Sequence, residues 1–254
     1  MKSSLPSAQG RTSPAFKRHS RTLGQAAAPS VGRVTVSPAL DCGVPDGPLP
    51  RDQRARHWDV AYTGRGAEGV SWYQAVPQMS FELIEALHIP PDAAVIDIGG
   101  GASQLVDHLV ERGYSDLTVL DISASALDEV ERRLGASSVL RLHEDLLDWR
   151  PERLYDLWHD RALFHFLVAS DDRDRYLLTL RSAIRDNGFV VLATFATDAP
   201  EFCSGLPVIR YSAADLVQML GAGFELLETR REEHITPRGV TQPFTWVAGH
   251  MRPA

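Results

Sequence analysis

The sequence predicts an α/β fold: a seven-stranded, mostly parallel sheet with helices on both faces and an antiparallel C-terminal edge strand. Three observations carry this. Short apolar runs alternate with helical stripes from Val95 to Leu220, and strand–helix alternation implies parallel strands joined by crossover helices. Val95 to Ser103 reads V-I-D-I-G-G-G-A-S, a strand that breaks into a glycine turn and opens a helical stripe of Leu105, Val106, Leu109 and Val110. The last two strand-like runs have no helix between them, which makes them a hairpin at a sheet edge.

Residues 1–50 read as a disordered N-terminal extension, rich in Ser, Ala, Pro, Gly and Arg and without a stripe. The first 40 residues hold no acid, which also suits an organellar transit peptide, although Pro6, Pro14, Pro29 and Pro38 break any long amphipathic helix. One folded domain is expected over 51–254. A short helix spans 53–63 with Trp58 and Tyr62, and a glycine-rich stretch leads to Ser71-Trp72-Tyr73. Phe81, Leu83, Ile84 and Leu87 mark a helix that Pro90 and Pro91 stop. The first strand is Val95 to Asp97. Helix 103–112, strand 117–121 and helix 123–134 follow, the last with Ser123 as N-cap. Strands 138–143 and 155–160, helix 171–185 and strand 188–196 come next. The last of these is the most apolar segment and is expected at the centre of the sheet. Ser212 opens a helix to Leu220 with Asp215 at the capping-box position. Strands near 224–230 and 241–250 close the chain.

The bulk numbers exclude several classes. With 44% hydrophobic and 23% charged residues, the chain suits a globular core, and no apolar run approaches the ~18 residues of a bilayer span. Two cysteines, Cys42 and Cys203, cannot make a disulfide framework, so the expected compartment is the cytoplasm, or an organelle if the N-terminus is a targeting segment. No His/Cys cluster has metal-ligand spacing, and no metal is expected. Residues 51–254 hold 20 Arg and no Lys against 31 acids, which speaks against general nucleic-acid binding.

The glycine turn narrows the ligand. A second strand-like run, Thr118 to Leu120, ends on Asp121, an acid placed to accept hydrogen bonds from ribose hydroxyls. Dinucleotide binders use G-x-G-x-x-G to seat a pyrophosphate on a helix N-terminus. Gly99 and Gly101 fit that pattern, but Gln104 stands at the third position. Asp97, two residues before Gly99, suits a ligand with a cationic end rather than a phosphate.

Acid, G-x-G, then the small residue Ser103 resembles motif I of class I S-adenosylmethionine (SAM)-dependent methyltransferases, whose sheet is Rossmann-like. The order and spacing from Trp58 to the C-terminus are similar to that family throughout. W-x-x-x-Y at Trp58 and Tyr62, S-W-Y, and D-R-A-L-F-H-F after the fourth strand resemble a bacterial group distantly similar to lysine methyltransferases of citrate synthase and elongation factor. Those relatives tend to have Asp-Lys-Gly where this chain has Asp160-Arg161-Ala162. The resemblance implies SAM as cofactor and S-adenosylhomocysteine (SAH) as product. It implies a cofactor site of Asp97, Gly99, Gly100, Gly101, Asp121, Ile122, Asp145 and Leu146, with Asp121 on ribose, Ile122 on the adenine face and Asp145-Leu146 at the adenine edge. Glu144, Asp145 and Asp148 could equally be a solvated loop. Tyr73 belongs to an aromatic group with Trp58, Tyr62 and Trp72, either a lid over SAM or a clamp on the N-terminal helix.

On the acceptor side, Asp160 is expected near the transferred methyl, and His165 is a candidate general base because an imidazole titrates near neutrality. Its alternative is a core histidine. Trp72, Arg161 and Cys203 are candidate substrate contacts; Arg161 has a structural ion pair, and Cys203 a buried filler, as alternatives. The expected activity is methyl transfer to a small molecule. A protein side chain as acceptor, or a non-catalytic nucleoside-binding module, remain as other readings.

Overall fold

The computed structural model describes residues 48–135 and 139–252; the N-terminal extension expected over 1–50 falls, but for its last three residues, outside them. In chain order the elements are α1 (Arg51–Arg65), α2 (Gln78–Ala86), β1 (Ala94–Ile98), α3 (Leu105–Glu111), β2 (Asp116–Asp121), α4 (Ala124–Leu134), β3 (Leu140–His143) and β4 (Tyr155–Arg161). Then come α5 (Ser170–Ala183), β5 (Ile184–Phe195), β6 (Phe202–Cys203), β7 (Leu206–Pro207), α6 (Ala213–Leu220), β8 (Phe224–Ile235) and β9 (Thr241–Met251). The seven-stranded sheet has the order β3-β2-β1-β4-β5-β9-β8. Its first five strands pair parallel. The C-terminal hairpin forms one edge, with β9 antiparallel to both β5 and β8. β4 is the middle strand; β5, expected there, lies one place away, still covered on both sides by neighbours.

Strand side chains alternate between faces, and the two cores follow that alternation. Val95, Val119, Leu157, Val191 and Trp246 pack on one face with Leu83 of α2, Leu105 and Leu109 of α3 and Leu127 of α4. Ile96, Leu120, Trp158, Val190 and Val247 pack on the other with Tyr176 and Leu180 of α5 and Leu216 of α6. Each fully buried aliphatic side chain stabilises the fold by about 1.5–3 kcal/mol. Local signals agree with this packing. The Ser123 side chain accepts from the Ala126 N–H to cap α4, and Ser212 with Asp215 closes a capping box on α6.

Several element bounds differ from the sequence expectation, and three differences concern the sheets. Ile184 continues the helical stripe of Leu177 and Leu180, yet it already pairs with Tyr155 as the first residue of β5. Its side chain reaches the same core from extended backbone. β8 runs five residues beyond the expected end because its last part is charged, as an edge strand can be. The two-residue strands β6 and β7, unexpected from sequence, are joined by Ser204 and Gly205, both at positive φ, the backbone that tight hairpins require.

A buried polar network fixes the end of β4. Trp158 Nε1 donates to Tyr176 Oη at 2.9 Å, and Tyr176 Oη donates to Asp160 Oδ2 at 2.8 Å. Asp160 Oδ1 accepts the Leu163 N–H at 2.9 Å, closing the turn after the strand. Within that turn Ala162 stands at φ 74°, a left-handed conformation that costs about 1–2 kcal/mol in any residue with a Cβ.

Two outcomes follow for stability. Ala162→Gly relieves the left-handed strain and is expected to raise unfolding free energy by about 0.5–1 kcal/mol after glycine's greater chain entropy is subtracted; an unchanged or lower urea midpoint would contradict this. Tyr176→Phe leaves a buried indole N–H and a carboxylate oxygen each short of a partner, and is expected to lower stability by about 1–3 kcal/mol. A urea midpoint equal to wild type would show the network carries no weight.

Candidate functional site

Strand order reverses between β1 and β4: β2 lies on the other side of β1, so the connections from β1 and β4 leave in opposite directions and open a crevice at the carboxyl ends. Two adjoining cavities occupy it and share Tyr62, Trp72, Gly99 and Arg161 in their walls. The smaller is lined by Tyr73, Ser80, Asp97, Gly100 and His159. The larger encloses about 1100 Å³ with its open mouth. Asp121, Ile122, Glu144, Asp145 and Leu146 line it toward β2 and β3; Phe166, Phe195, Cys203, Gln242 and Phe244 line it toward β5 and β9.

Asp97 points into the smaller cavity. Its Oδ1 lies 2.7 Å from Nδ1 of His159, its direct neighbour across the β1–β4 ladder. A carboxylate can only accept, so Nδ1 carries the proton, and His159 Nε2 takes a hydrogen bond from the Ser80 hydroxyl at 3.0 Å. The ring therefore clamps one carboxylate oxygen. The other, Oδ2, is buried without a partner, an arrangement that favours a cationic donor arriving from outside. A Cβ at Gly100 would overlap the Asp97 carboxylate, and one at Gly101, which stands at φ 50°, would overlap the Tyr62 hydroxyl. The glycines keep this corner open to a ligand.

Asp121 stands at the tip of β2. Its Oδ1 accepts the Ser123 N–H at 2.8 Å, and the Gly101 N–H also points to the carboxylate. Burial outweighs these donors and pushes its pKa up to about 7. Ile122 follows in the cavity wall, its carbonyl held by His143 Nε2 at 3.0 Å. Asp145 and Leu146 also line the cavity. Asp145 Oδ1 accepts the Leu147 N–H at 3.0 Å, and its Oδ2 lies 3.5 Å from Arg54.

α1 covers this region through polar contacts. Asp59 Oδ1 accepts from the Ser123 hydroxyl at 2.7 Å and from the Ser125 N–H and hydroxyl. Arg54 reaches Asp172 at 2.8 Å as well as Asp145. Trp58 stacks edge-on against Trp72 and Phe166, and Trp72 Nε1 donates to Tyr62 Oη at 3.2 Å. The aromatic group is thus both wall and clamp.

Two of the expected residues do not line either cavity. Asp160 lines neither cavity: one residue before Arg161, it points to the opposite face of the sheet and into the Tyr176 network. Burial raises its pKa to about 7 there. His165 also lies behind the cavity wall, against Phe166 and Phe195. Its Nδ1 accepts the Phe195 N–H at 3.1 Å, so the remaining proton sits on Nε2 and no lone pair is free to accept another. Burial, with the Arg161 charge nearby, drives its pKa down to about 3. It is a core histidine.

Trp72, Arg161 and Cys203 do line the larger cavity. The Cys203 thiol is pushed up to about 12 by burial, so it offers an apolar surface rather than a thiolate. Arg161 Nη1 donates to the Trp72 carbonyl at 3.0 Å, and its guanidinium lies 4.7 Å from the Phe244 ring centroid. Sequence reading missed Arg54, Ser80, His159, Gln242 and Phe244. Gln242 and Phe244 open β9; being antiparallel, that strand begins at the rim where the parallel strands end. The hairpin was legible, and its direction was the available signal. Among the described residues no group of His, Cys, Asp and Glu is placed to hold a metal, and no helix is long and apolar enough to cross a membrane.

A family model described as a methyltransferase domain matches residues 96–190, from β1 into β5. The chain is 25% identical over 202 residues to EEF1A lysine methyltransferase 2 of Danio rerio, covering 73% of this chain and 81% of that protein. It is also 25% identical to the Homo sapiens protein of that name, covering 78% and 86%. Among solved structures, a SAM-dependent methyltransferase from Anabaena variabilis aligns with a TM-score of 0.64 at 18% identity, over 81% of this chain and 97% of that one. The 1,6-didemethyltoxoflavin-N1-methyltransferase of Burkholderia thailandensis, solved with 1,6-didemethyltoxoflavin and SAH, aligns with a TM-score of 0.63 at 18% identity, over 82% and 94%. The matched stretch contains the strand, glycine turn and acid that form the crevice, the sheet around them is that of the aligned methyltransferase structures, and the protein is a SAM-dependent methyltransferase.

Proposed function

We propose that the methyl acceptor is a small molecule that enters the larger cavity beside Arg161, and that residues 51–254 form the catalytic domain. SAM supplies an activated methyl group on a sulfonium. The unpartnered Asp97 Oδ2 fits the ammonium of its methionine end, with Tyr73 beside it in the smaller cavity. Gly99, Gly100 and Gly101 let the ligand approach the backbone. Asp121 accepts the ribose hydroxyls, Ile122 packs on adenine, and Asp145 with Leu146 meets the adenine edge, where Arg54 shares the Asp145 carboxylate. On the other side Trp72, Arg161 and Cys203 meet the acceptor. Asp160 and His165 carry no chemical step in this reading. The chain aligns donor and acceptor and excludes water, which can supply on the order of 7–11 kcal/mol at best.

The observation that carries the small-molecule reading is the enclosure of the acceptor side. Trp58 of α1, Trp72, Phe166, Phe195 and Phe244 surround it, and Cys203 and Leu206 of the β6–β7 hairpin complete the wall. The second reading, protein lysine methylation, is favoured by the names of the curated relatives. Incubation with methyl-labelled SAM and fractionated lysate separates the two: label in low-mass metabolites is expected, and label confined to protein would overturn the proposal.

Asp121→Ala is expected to weaken SAH binding by about 1.5–3 kcal/mol while the fold survives; unchanged affinity in a folded variant would remove Asp121 from the site. Its pH dependence has a definite sign. The free carboxyl titrates at about 7 against an ordinary 3.8, and ribose hydroxyls select the ionised form. Affinity therefore rises with pH through that value, and moving from pH 8 to pH 6 is expected to weaken SAH binding about tenfold. Asp121→Asn should flatten this profile. An equally steep profile in that variant would assign the titration elsewhere.

A further inference from the structure

Arg161 is the last residue of β4, and its side chain is only 10% exposed. Nη1 is satisfied by the Trp72 carbonyl. Nε and Nη2 are buried and have no hydrogen-bond partner. The nearest carboxylate oxygen, Glu232 Oε1, lies 3.8 Å from Nη2, outside hydrogen-bond reach. Both Glu232 oxygens are already engaged: Oε1 accepts from Gln74 Nε2 at 2.5 Å, and Oε2 accepts from Trp246 Nε1 at 2.9 Å. Glu232 pairs with this guanidinium electrostatically at 3.8 Å, but Nε and Nη2 lack a hydrogen-bond partner, and part of the cost of burying them stays unmet.

The two idle atoms are not an arbitrary pair. Nε and Nη2 form one edge of the guanidinium, the side-on fork that matches the two oxygens of a carboxylate. The guanidinium carbon lies over the Phe244 ring, 4.7 Å from its centroid. Phe244 and Cys203, which flank the guanidinium, line the larger cavity and not the smaller one with Asp97. Gln242, 8% exposed in the same wall, has a buried Oε1 without a partner. Arg161 and Gln242, each with buried polar atoms that lack a hydrogen-bond partner, thus line one aromatic cavity.

Resting on the small-molecule reading above, we propose that the acceptor carries a carboxylate, gripped side-on by Arg161 Nε and Nη2, and that this grip sets which molecules are methylated. Gln242 takes a hydrogen bond from a donor on the same molecule, and the aromatic walls hold its apolar body. Arg161 acts as a specificity residue: it anchors the acceptor and takes no part in bond making.

The test uses the full chain saturated with SAH and titrated by calorimetry with 3-phenylpropionate and, separately, with its primary amide, which has the same shape and no charge. The acid is expected to bind at least about tenfold more tightly than the amide. Arg161→Gln should abolish that preference, and Arg161→Lys, which keeps the charge but loses the fork, should weaken acid binding by about threefold or more. SAH affinity in both variants should stay within about twofold of wild type. Equal binding of acid and amide, or binding of neither, to SAH-loaded wild type overturns this proposal and leaves the cofactor reading standing. Loss of SAH affinity in Arg161→Gln also overturns it, because the guanidinium would then serve the methionine end. Wild type that fails to bind SAH overturns both. The comparison of acid with amide needs no variant, so it decides the matter even if a substituted chain does not fold.

Discussion

Where strand order reverses, the helices that follow β1 and β4 depart to opposite sides, and the carboxyl ends of those two strands are left for something else to cover. Everything at the site depends on how that gap is held. The one cross-strand bond spanning it on the Asp97 face is Asp97 to His159, between residues directly opposite in the ladder. Ser80 of α2 fixes the far side of the imidazole. A helix outside the sheet therefore sets the rotamer of a histidine on β4, which sets the carboxylate on β1. The result is one carboxylate oxygen satisfied and the other buried without a partner beside the cavity.

The period of two along β4 sorts the rest. Leu157, His159 and Arg161 face the side that holds the cavities, while Trp158 and Asp160 face α5. Reading the strand end as a cluster of polar groups made Asp160 look like the reacting residue. Reading it by alternation makes Arg161 the residue that arrives at the cavity, and Asp160 the one that shapes the turn presenting it. Asp160 still matters to the site, because it holds the Leu163 N–H and with it the turn that places Ala162 and Leu163 in the cavity wall. His165 fails for a related reason: its turn carries it past the rim and into contact with Phe195.

Much of the fold was legible because local signals and burial agree. The Ser123 cap, the Ser212–Asp215 capping box and the alternating apolar runs each name an element that tertiary packing then uses. The nucleoside side of the crevice was legible for the same reason: Asp97, Gly99 to Gly101 and Asp121 lie within 25 residues of one another in sequence and are brought together by a single strand–helix–strand unit. The acceptor side was not. It is assembled from α1, the turn after β4, the β6–β7 hairpin and the start of β9, elements far apart in the chain. Their meeting is decided by strand order and direction, which no local pattern states. Arg54 illustrates the difference. On α1 it is one exposed-looking arginine among several, and only the docked helix shows it between Asp145 and Asp172.

Charge is unevenly spread over the crevice. Asp121, Glu144 and Asp145 line one part of the larger cavity together with Arg54, and Arg161 stands in the wall shared with the smaller cavity that holds Asp97. Two groups near Arg161 are poor proton acceptors at neutral pH: Cys203 keeps its proton to about 12, and His165 offers no free lone pair. That side of the cavity can orient a nucleophile more readily than it can deprotonate one. Methyl transfer by alignment requires nothing more when the attacking atom already has a free lone pair, as a neutral amine does. The field also has a direction that helps the reaction. Acids beneath the donor favour the cationic form that SAM brings, and a cation beside the acceptor favours an anionic partner.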